Sequence, residues 1–79
     1  MSDEEVYEKV KKIVSETLGV DEKEVKPESK LVDDLGVDSI GMLDLLLKFE
    51  DEFNISIPDQ DAEKITRVQD IIDYLKTRI

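Results

Sequence analysis

Ser39 is the residue of this sequence whose type and position could best support chemistry. It closes the run Asp34-Leu35-Gly36-Val37-Asp38-Ser39-Ile40, a glycine-containing turn that brings a hydroxyl to the start of a long amphipathic stretch. Backbone N–H groups at a helix start lack partners and hold the positive end of the helix dipole, so a phosphate ester on Ser39 would lie in a favourable field. The position therefore reads as an attachment point. A serine near a helix start is more often a plain cap or first-turn residue. The sequence has no histidine to activate this one, which excludes a Ser-His-Asp hydrolase and leaves Ser39 as a passive acceptor for another enzyme.

Cysteine and tryptophan are absent as well. Without Cys and His the chain has no thiol nucleophile, no common general base and none of the usual transition-metal ligands, so self-contained catalysis is not expected. Asp33, Asp34 and Asp38 form an acidic group, but the ligand spacing and terminal glutamate of an EF-hand loop are missing. No dedicated metal site is expected there.

The elements that must hold Ser39 follow from periodicity. Ser2-Asp3-Glu4-Glu5 has the form of a capping box, and Val6, Val10, Ile13, Val14 and Leu18 recur at helical spacing until Gly19. From Val20 to Val37 the period fades around Pro27, and Val25, Leu31, Val32 and Leu35 are the apolar anchors of a long loop. Asp38 is a good N-cap for a second helix from about Ser39 to Phe53. Pro58 and Asp59 can start a short third helix through Ile65. Thr66-Arg67-Val68-Gln69 offers a capping box for a last helix with Val68, Ile71, Ile72, Leu75 and Ile79 as its apolar stripe. No strand is indicated, and Ile55-Ser56-Ile57 is too short to count. The expected fold is all-α: a four-helix bundle of three main helices and one short one, with a long loop between the first two.

On a helical wheel, Met42, Leu45, Leu46, Phe49 and Phe53 share a sector about 100° wide that should face the core. Ile40, Leu43 and Leu47 gather on the other side at i, i+3, i+7 spacing. One reading is a central helix buried nearly all round. Asp44, Glu50 and Asp51 argue instead for partial exposure, because a buried face would not accept carboxylates so close to Leu43 and Leu47. The result is a docking strip of apolar anchors ringed by negative charge.

Composition sets the remaining limits. Seventy-nine residues make one domain, 1–79, too small for a substrate cleft with walls of its own. Twenty-one acidic residues against eleven basic ones give a net charge of −10, a field that repels nucleic acid and anionic membrane and attracts basic protein surfaces. Met1 to Glu5 lack the blocks of a signal peptide, and no apolar run approaches membrane-spanning length. A cytoplasmic monomer is expected, with no membrane insertion.

The residues resemble those of the acyl carrier proteins of fatty acid synthesis over nearly the whole chain, without gaps. Leu31-Val32-Asp33-Asp34-Leu35-Gly36-Val37-Asp38-Ser39-Ile40 is similar to that family's loop and D-S-L attachment motif, with Ile40 in the usual leucine position. Phe49 to Phe53, Ile57-Pro58-Asp59 and Ala62 to Thr66 resemble the end of its second helix and its third. The resemblance implies that Ser39 receives 4′-phosphopantetheine from coenzyme A through a phosphopantetheinyl transferase, with Asp38 as cap and recognition residue. It implies that acyl groups ride as thioesters on that arm and can withdraw between the helices. Acyltransferases, ketosynthases and other synthesis enzymes with basic docking surfaces would then meet Ile40, Leu43, Asp44, Leu47, Glu50 and Asp51.

Two positions depart from the family pattern. Gly41 stands where an acidic residue is common and Lys48 where a small neutral one is usual, which implies a specialised carrier with altered partner choice. An aminoacyl or peptidyl carrier, including the D-alanyl type, shares the attachment logic but differs in the flanks of the motif. An unmodified acidic adaptor binding basic proteins through the same strip is the alternative from another class.

Overall fold

The computed structural model describes residues 2–79. The chain folds into α1 (Asp3–Leu18), α2 (Ser39–Phe53), α3 (Asp59–Ala62) and α4 (Val68–Lys76), with no strand among the described residues. The all-α bundle expected from periodicity is the observed architecture, and α1 packs against both α2 and α4. Among the described residues, no helix is long and apolar enough to cross a membrane.

Ser2 caps α1 by accepting the Glu5 amide, and Gly19 ends it in the left-handed conformation at φ +72°, its N–H bonded to the Ser15 carbonyl. Glycine adopts that conformation without penalty. Val6, Val10 and Val14 are fully buried, whereas Ile13 and Leu18 lie at the edge of the core. They meet Leu45 and Phe49 of α2 and Ile71 and Leu75 of α4 in one apolar cluster.

The segment between α1 and α2 is more ordered than its weak periodicity suggests. It contains a 3-10 turn at Glu22–Glu24, capped by the Asp21 carboxylate. Val25 and Leu31 are buried as expected, and Tyr7 on α1 donates its hydroxyl to the Val25 carbonyl at 2.7 Å. Ser29 is buried too, with its hydroxyl accepting from the Lys26 amide and donating to the Glu24 carbonyl. Three backbone bonds then fasten this segment to the entry of α4: Leu31 N to Thr66 O at 2.9 Å, Val68 N to Ser29 O at 3.0 Å, and Gln69 N to Pro27 O at 2.8 Å. Val32 is not an anchor. Its side chain is 59% exposed, because the turn that follows Leu31 carries it outward.

Three other expectations are corrected at the C-terminal end. The short helix stops at Ala62 rather than Ile65, because the chain tightens through Lys64 N to Asp61 O and Ile65 N to Ala62 O bonds, turning Ile65 into the core. Ile79 lies beyond α4 and is 46% exposed, so it contributes nothing to the buried stripe. The residue that caps α4 is Asp70 and not Gln69. Its carboxylate accepts from the Thr66 amide, the Thr66 hydroxyl and the Arg67 amide at 2.9–3.0 Å. An anion at a helix start outcompetes a neutral amide for these donors, and Gln69 turns to Asp73 instead.

The Arg67 amide, followed by the Thr66 donors, holds the Asp70 carboxyl below the ordinary 3.8 of an aspartate. A carboxyl with a depressed folded-state pKa stabilises the fold above its unfolded value, and that stability is lost as pH falls through the folded one. Asp70→Ala is expected to cost about 1 kcal/mol at pH 7, or about 4–8 °C in Tm. The gap between parent and variant should narrow once the pH drops below 3.8. A gap of constant size down to the lowest pH at which both fold would show that the carboxylate charge is not what stabilises this end.

The ion pairs, such as Lys9 with Glu52 and Lys76 with Asp3, join partly exposed side chains, and exposed pairs of that kind contribute little. Self-repulsion from the net charge of −10 is therefore largely uncompensated. Thermal melts should show Tm rising from low to moderate salt as the repulsion is screened, whereas a flat response would mean that the charges are already balanced locally.

Candidate functional site

The turn before α2 is closed by its own backbone. Lys30 O accepts from the Asp34 and Leu35 amides, Val32 O from Gly36, and Leu31 O from Val37, all at 2.9–3.1 Å. Asp34 returns a carboxylate oxygen to the Lys30 amide at 2.8 Å. Gly36 sits at φ +70°, a conformation that glycine supplies without strain. Leu31 and Val37 are buried at the two ends of the turn. The chain is thus pinned just before Asp38.

Asp38 then caps α2. Its Oδ1 accepts from the Gly41 amide at 2.6 Å, and its carbonyl accepts from Met42 at 2.9 Å. Asp34 and Asp38 are occupied as turn and cap residues, and the described residues hold no group of side chains suited to a metal ion. Gly41 permits the short cap bond. A Cβ there would come within 3.1 Å of Asp38 Oδ1 and within ordinary contact of Val37 and Leu18.

Ser39 is the first residue of α2 and is exposed. Among the described residues its hydroxyl makes no hydrogen bond. With Gly41 and Met42 bonded to Asp38, the amides of Ser39 and Ile40 remain at the positive end of the helix dipole without a preceding turn to bond. No histidine or cysteine exists to deprotonate or replace the hydroxyl. The arrangement presents a free hydroxyl in an anion-tolerant position.

A groove of about 680 Å³ opens beside Ser39 between α2 and α3. Val32, Val37, Met42, Leu43, Leu46 and Ala62 give it apolar walls, and Asp59 and Glu63 stand on its α3 side. Leu46 is buried in the core and Met42 is half-buried against it, as their place on the wheel predicts, yet both also border this groove, as does the exposed Val32. Helical periodicity marks an apolar face without saying whether a neighbouring helix fills all of it, and the brevity of α3 leaves this part open.

The apolar strip of α2 lies on its solvent side and adjoins the groove, with Leu43 belonging to both. Ile40, Leu43 and Leu47 are 78%, 59% and 63% exposed, so α2 is not buried all round. Its acidic rim is thinner than the sequence suggests. Lys48 Nζ lies 3.8 Å from Asp44, and Glu50, half-buried, accepts the Ile57 amide at 2.8 Å and braces the turn after α2. Asp51 is exposed.

Comparison with known proteins bears on this arrangement. Residues 8–75 match the family described as the phosphopantetheine attachment site. An acyl carrier protein of Thermotoga maritima is 50% identical over 78 residues, spanning 99% of this chain and 96% of that protein. A solved structure from Mycobacterium tuberculosis, described as a candidate acyl carrier protein, superposes with a TM-score of 0.88 at 31% identity, over 94% of this chain and 99% of that one.

Proposed function

The chain belongs to the acyl carrier protein family, whose prosthetic group is 4′-phosphopantetheine, and from that premise we propose that Ser39 is the residue that bears it. One observation carries the reading: an exposed, unbonded hydroxyl on the first turn of α2, fixed by the Asp38 cap and bordered by an apolar groove. The residues fit such a group. Ser39 supplies the oxygen for a phosphodiester, the leftover amides of α2 favour its charge, and Asp38 keeps the turn in place. When bound, the group supplies the thiol that this cysteine-free chain lacks, and acyl chains are held on that thiol as thioesters. The apolar walls of the groove, Val32, Met42 and Leu46 among them, are suited to shelter an acyl chain from water.

In this reading residues 1–79 act as one cytoplasmic carrier domain in fatty acid synthesis, with catalysis left to separate enzymes. A phosphopantetheinyl transferase provides the base that activates Ser39. Acyltransferases and ketosynthases dock through Ile40, Leu43 and Leu47, with Asp44 and Asp51 meeting their basic groups and Glu50 contributing chiefly by fixing the end of α2. The Asp44–Lys48 pair supports a specialised choice of partners, because Lys48 offsets part of the negative charge that Asp44 presents. Lys48→Ala should speed association with basic partners severalfold at low salt, and less at high salt. Equal rates with every synthesis enzyme tested would remove the case for specialisation.

The test of the attachment itself is intact mass after incubation with coenzyme A and a broad-specificity phosphopantetheinyl transferase. A gain of one phosphopantetheine, absent from Ser39→Ala, is expected. A folded helical protein that gains nothing with this or any cognate transferase would overturn the assignment.

A further inference from the structure

The groove beside Ser39 is walled on one side by α3, which has few restraints of its own. It spans four residues, none of them buried, and no side chain caps its N-terminus. A single turn is far shorter than the length at which helical hydrogen bonding sustains itself in water. Buried Ile57 and Ile65 fasten the chain on either side, and the helix between them is free to tilt unless something holds it.

Among the described residues, the side-chain hydrogen bonds from α3 to the rest of the protein all run through Asp61. Its Oδ2 accepts from the Tyr74 hydroxyl at 2.8 Å and lies 3.4 Å from Arg78 Nη2. The Arg78 guanidinium also sits over the Tyr74 ring, 4.7 Å from its centre, so the three side chains close a triangle. Tyr74 belongs to α4, whose Val68, Ile71, Ile72 and Leu75 are sunk in the core, which gives the triangle a fixed base. Burial, and then the bond to Asp61, raises the pKa of the Tyr74 phenol, keeping it a proton donor. The neighbours Asp59, Ala62 and Glu63 line the groove.

Resting on the reading that the groove shelters cargo, we propose that the Asp61–Tyr74–Arg78 triangle is a latch that sets how far α3 stands from α2, and so the length of acyl chain the groove admits. Tightly held, α3 favours short cargo. Released, it swings between its two buried anchors and lengthens the apolar slot.

The experiment has two arms on the full chain. In the unloaded protein, hydrogen exchange is followed at the Ala62 and Glu63 amides, which bond to Pro58 O and Asp59 O. Tyr74→Phe and Asp61→Ala should each speed exchange there about tenfold, the scale of one lost hydrogen bond, while α1 amides are unchanged. Arg78→Gln should act in the same direction and Arg78→Lys should largely restore the parent rate.

In the second arm, parent and variants are loaded on Ser39 with acyl groups from butanoyl to dodecanoyl, and thioester cleavage by hydroxylamine is timed. The parent should protect chains up to a limiting length, and Tyr74→Phe and Asp61→Ala should shift that limit to longer chains. Unchanged exchange at α3 in both variants overturns the latch, as does faster exchange with the same limiting length. If the parent protects no chain of any length, the sheltering groove itself is wrong and the latch's control of cargo falls with it. A parent that takes up no acyl group at Ser39 refutes the attachment reading instead, and the exchange arm still reports separately on whether the triangle restrains α3.

Discussion

Ser39→Ala is expected to accept no phosphopantetheine and to carry no acyl group, while its Tm stays within about 2–4 °C of the parent, the range for a surface change worth up to about 0.5 kcal/mol. The two halves of that result have separate causes. The loss is complete because no other serine offers a free hydroxyl on the first turn of a helix: Ser2 caps α1, Ser15 donates to Val20, Ser29 is buried in the loop, and Ser56 is exposed but lies outside any helix. The fold survives because Ser39 follows the cap rather than being it. The capping oxygen belongs to Asp38, whose bond to the Gly41 amide does not involve Ser39.

Asp38→Ala supplies the contrast. Removing the cap should cost about 1 kcal/mol, and should slow loading without abolishing it, since the hydroxyl remains. Intact mass and thermal melts on the two variants decide the matter. Residual loading of Ser39→Ala at the parent's rate would put the attachment elsewhere, and a collapse of its melting transition would make Ser39 a structural residue.

Phe49→Ala should have the largest effect on stability. Phe49 is fully buried in α2 and belongs to the cluster shared by α1, α2 and α4. Phenylalanine-to-alanine changes in cores cost about 3–5 kcal/mol. A domain of this size holds only about 4–12 kcal/mol in total, so the variant should melt about 15–30 °C lower or fail to fold at body temperature. Leu47, two residues earlier on the same helix, should behave in the opposite way. It is 63% exposed, and Leu47→Ala should leave Tm nearly unchanged while weakening an enzyme partner about tenfold if Leu47 is an interface anchor. Circular dichroism melts for both and a binding titration for Leu47→Ala test the division. A stable Phe49→Ala protein would mean that the core repacks far more freely than its burial implies.

That division of α2 was largely legible in the residues. The i, i+3, i+7 spacing of Ile40, Leu43 and Leu47 set them apart from Leu45, Phe49 and Phe53, and charge beside the first group argued for solvent. Which carboxylates remain on that surface was not legible. Asp44, Glu50 and Asp51 look alike in sequence, yet Asp44 pairs with Lys48, Glu50 turns to the Ile57 amide, and Asp51 stays exposed. The capping of α4 depends on tertiary position for a related reason: Gln69 and Asp70 both follow Thr66 closely, and only the position of the amides shows which side chain meets them.

By itself the sequence determined the all-α class, the start of α2 at Ser39, the Asp38 cap and the lack of any cysteine or histidine. Each of these is a local matter, fixed by side-chain period, capping chemistry or residue type within a few positions along the chain. The tertiary structure decided the rest: the fastening of the loop to the entry of α4, the brevity of α3, the groove between α2 and α3, and the Asp61–Tyr74–Arg78 triangle. All four join residues distant in sequence. Their partners are chosen by where packing brings backbone amides and open surface together, and no local period or propensity encodes that.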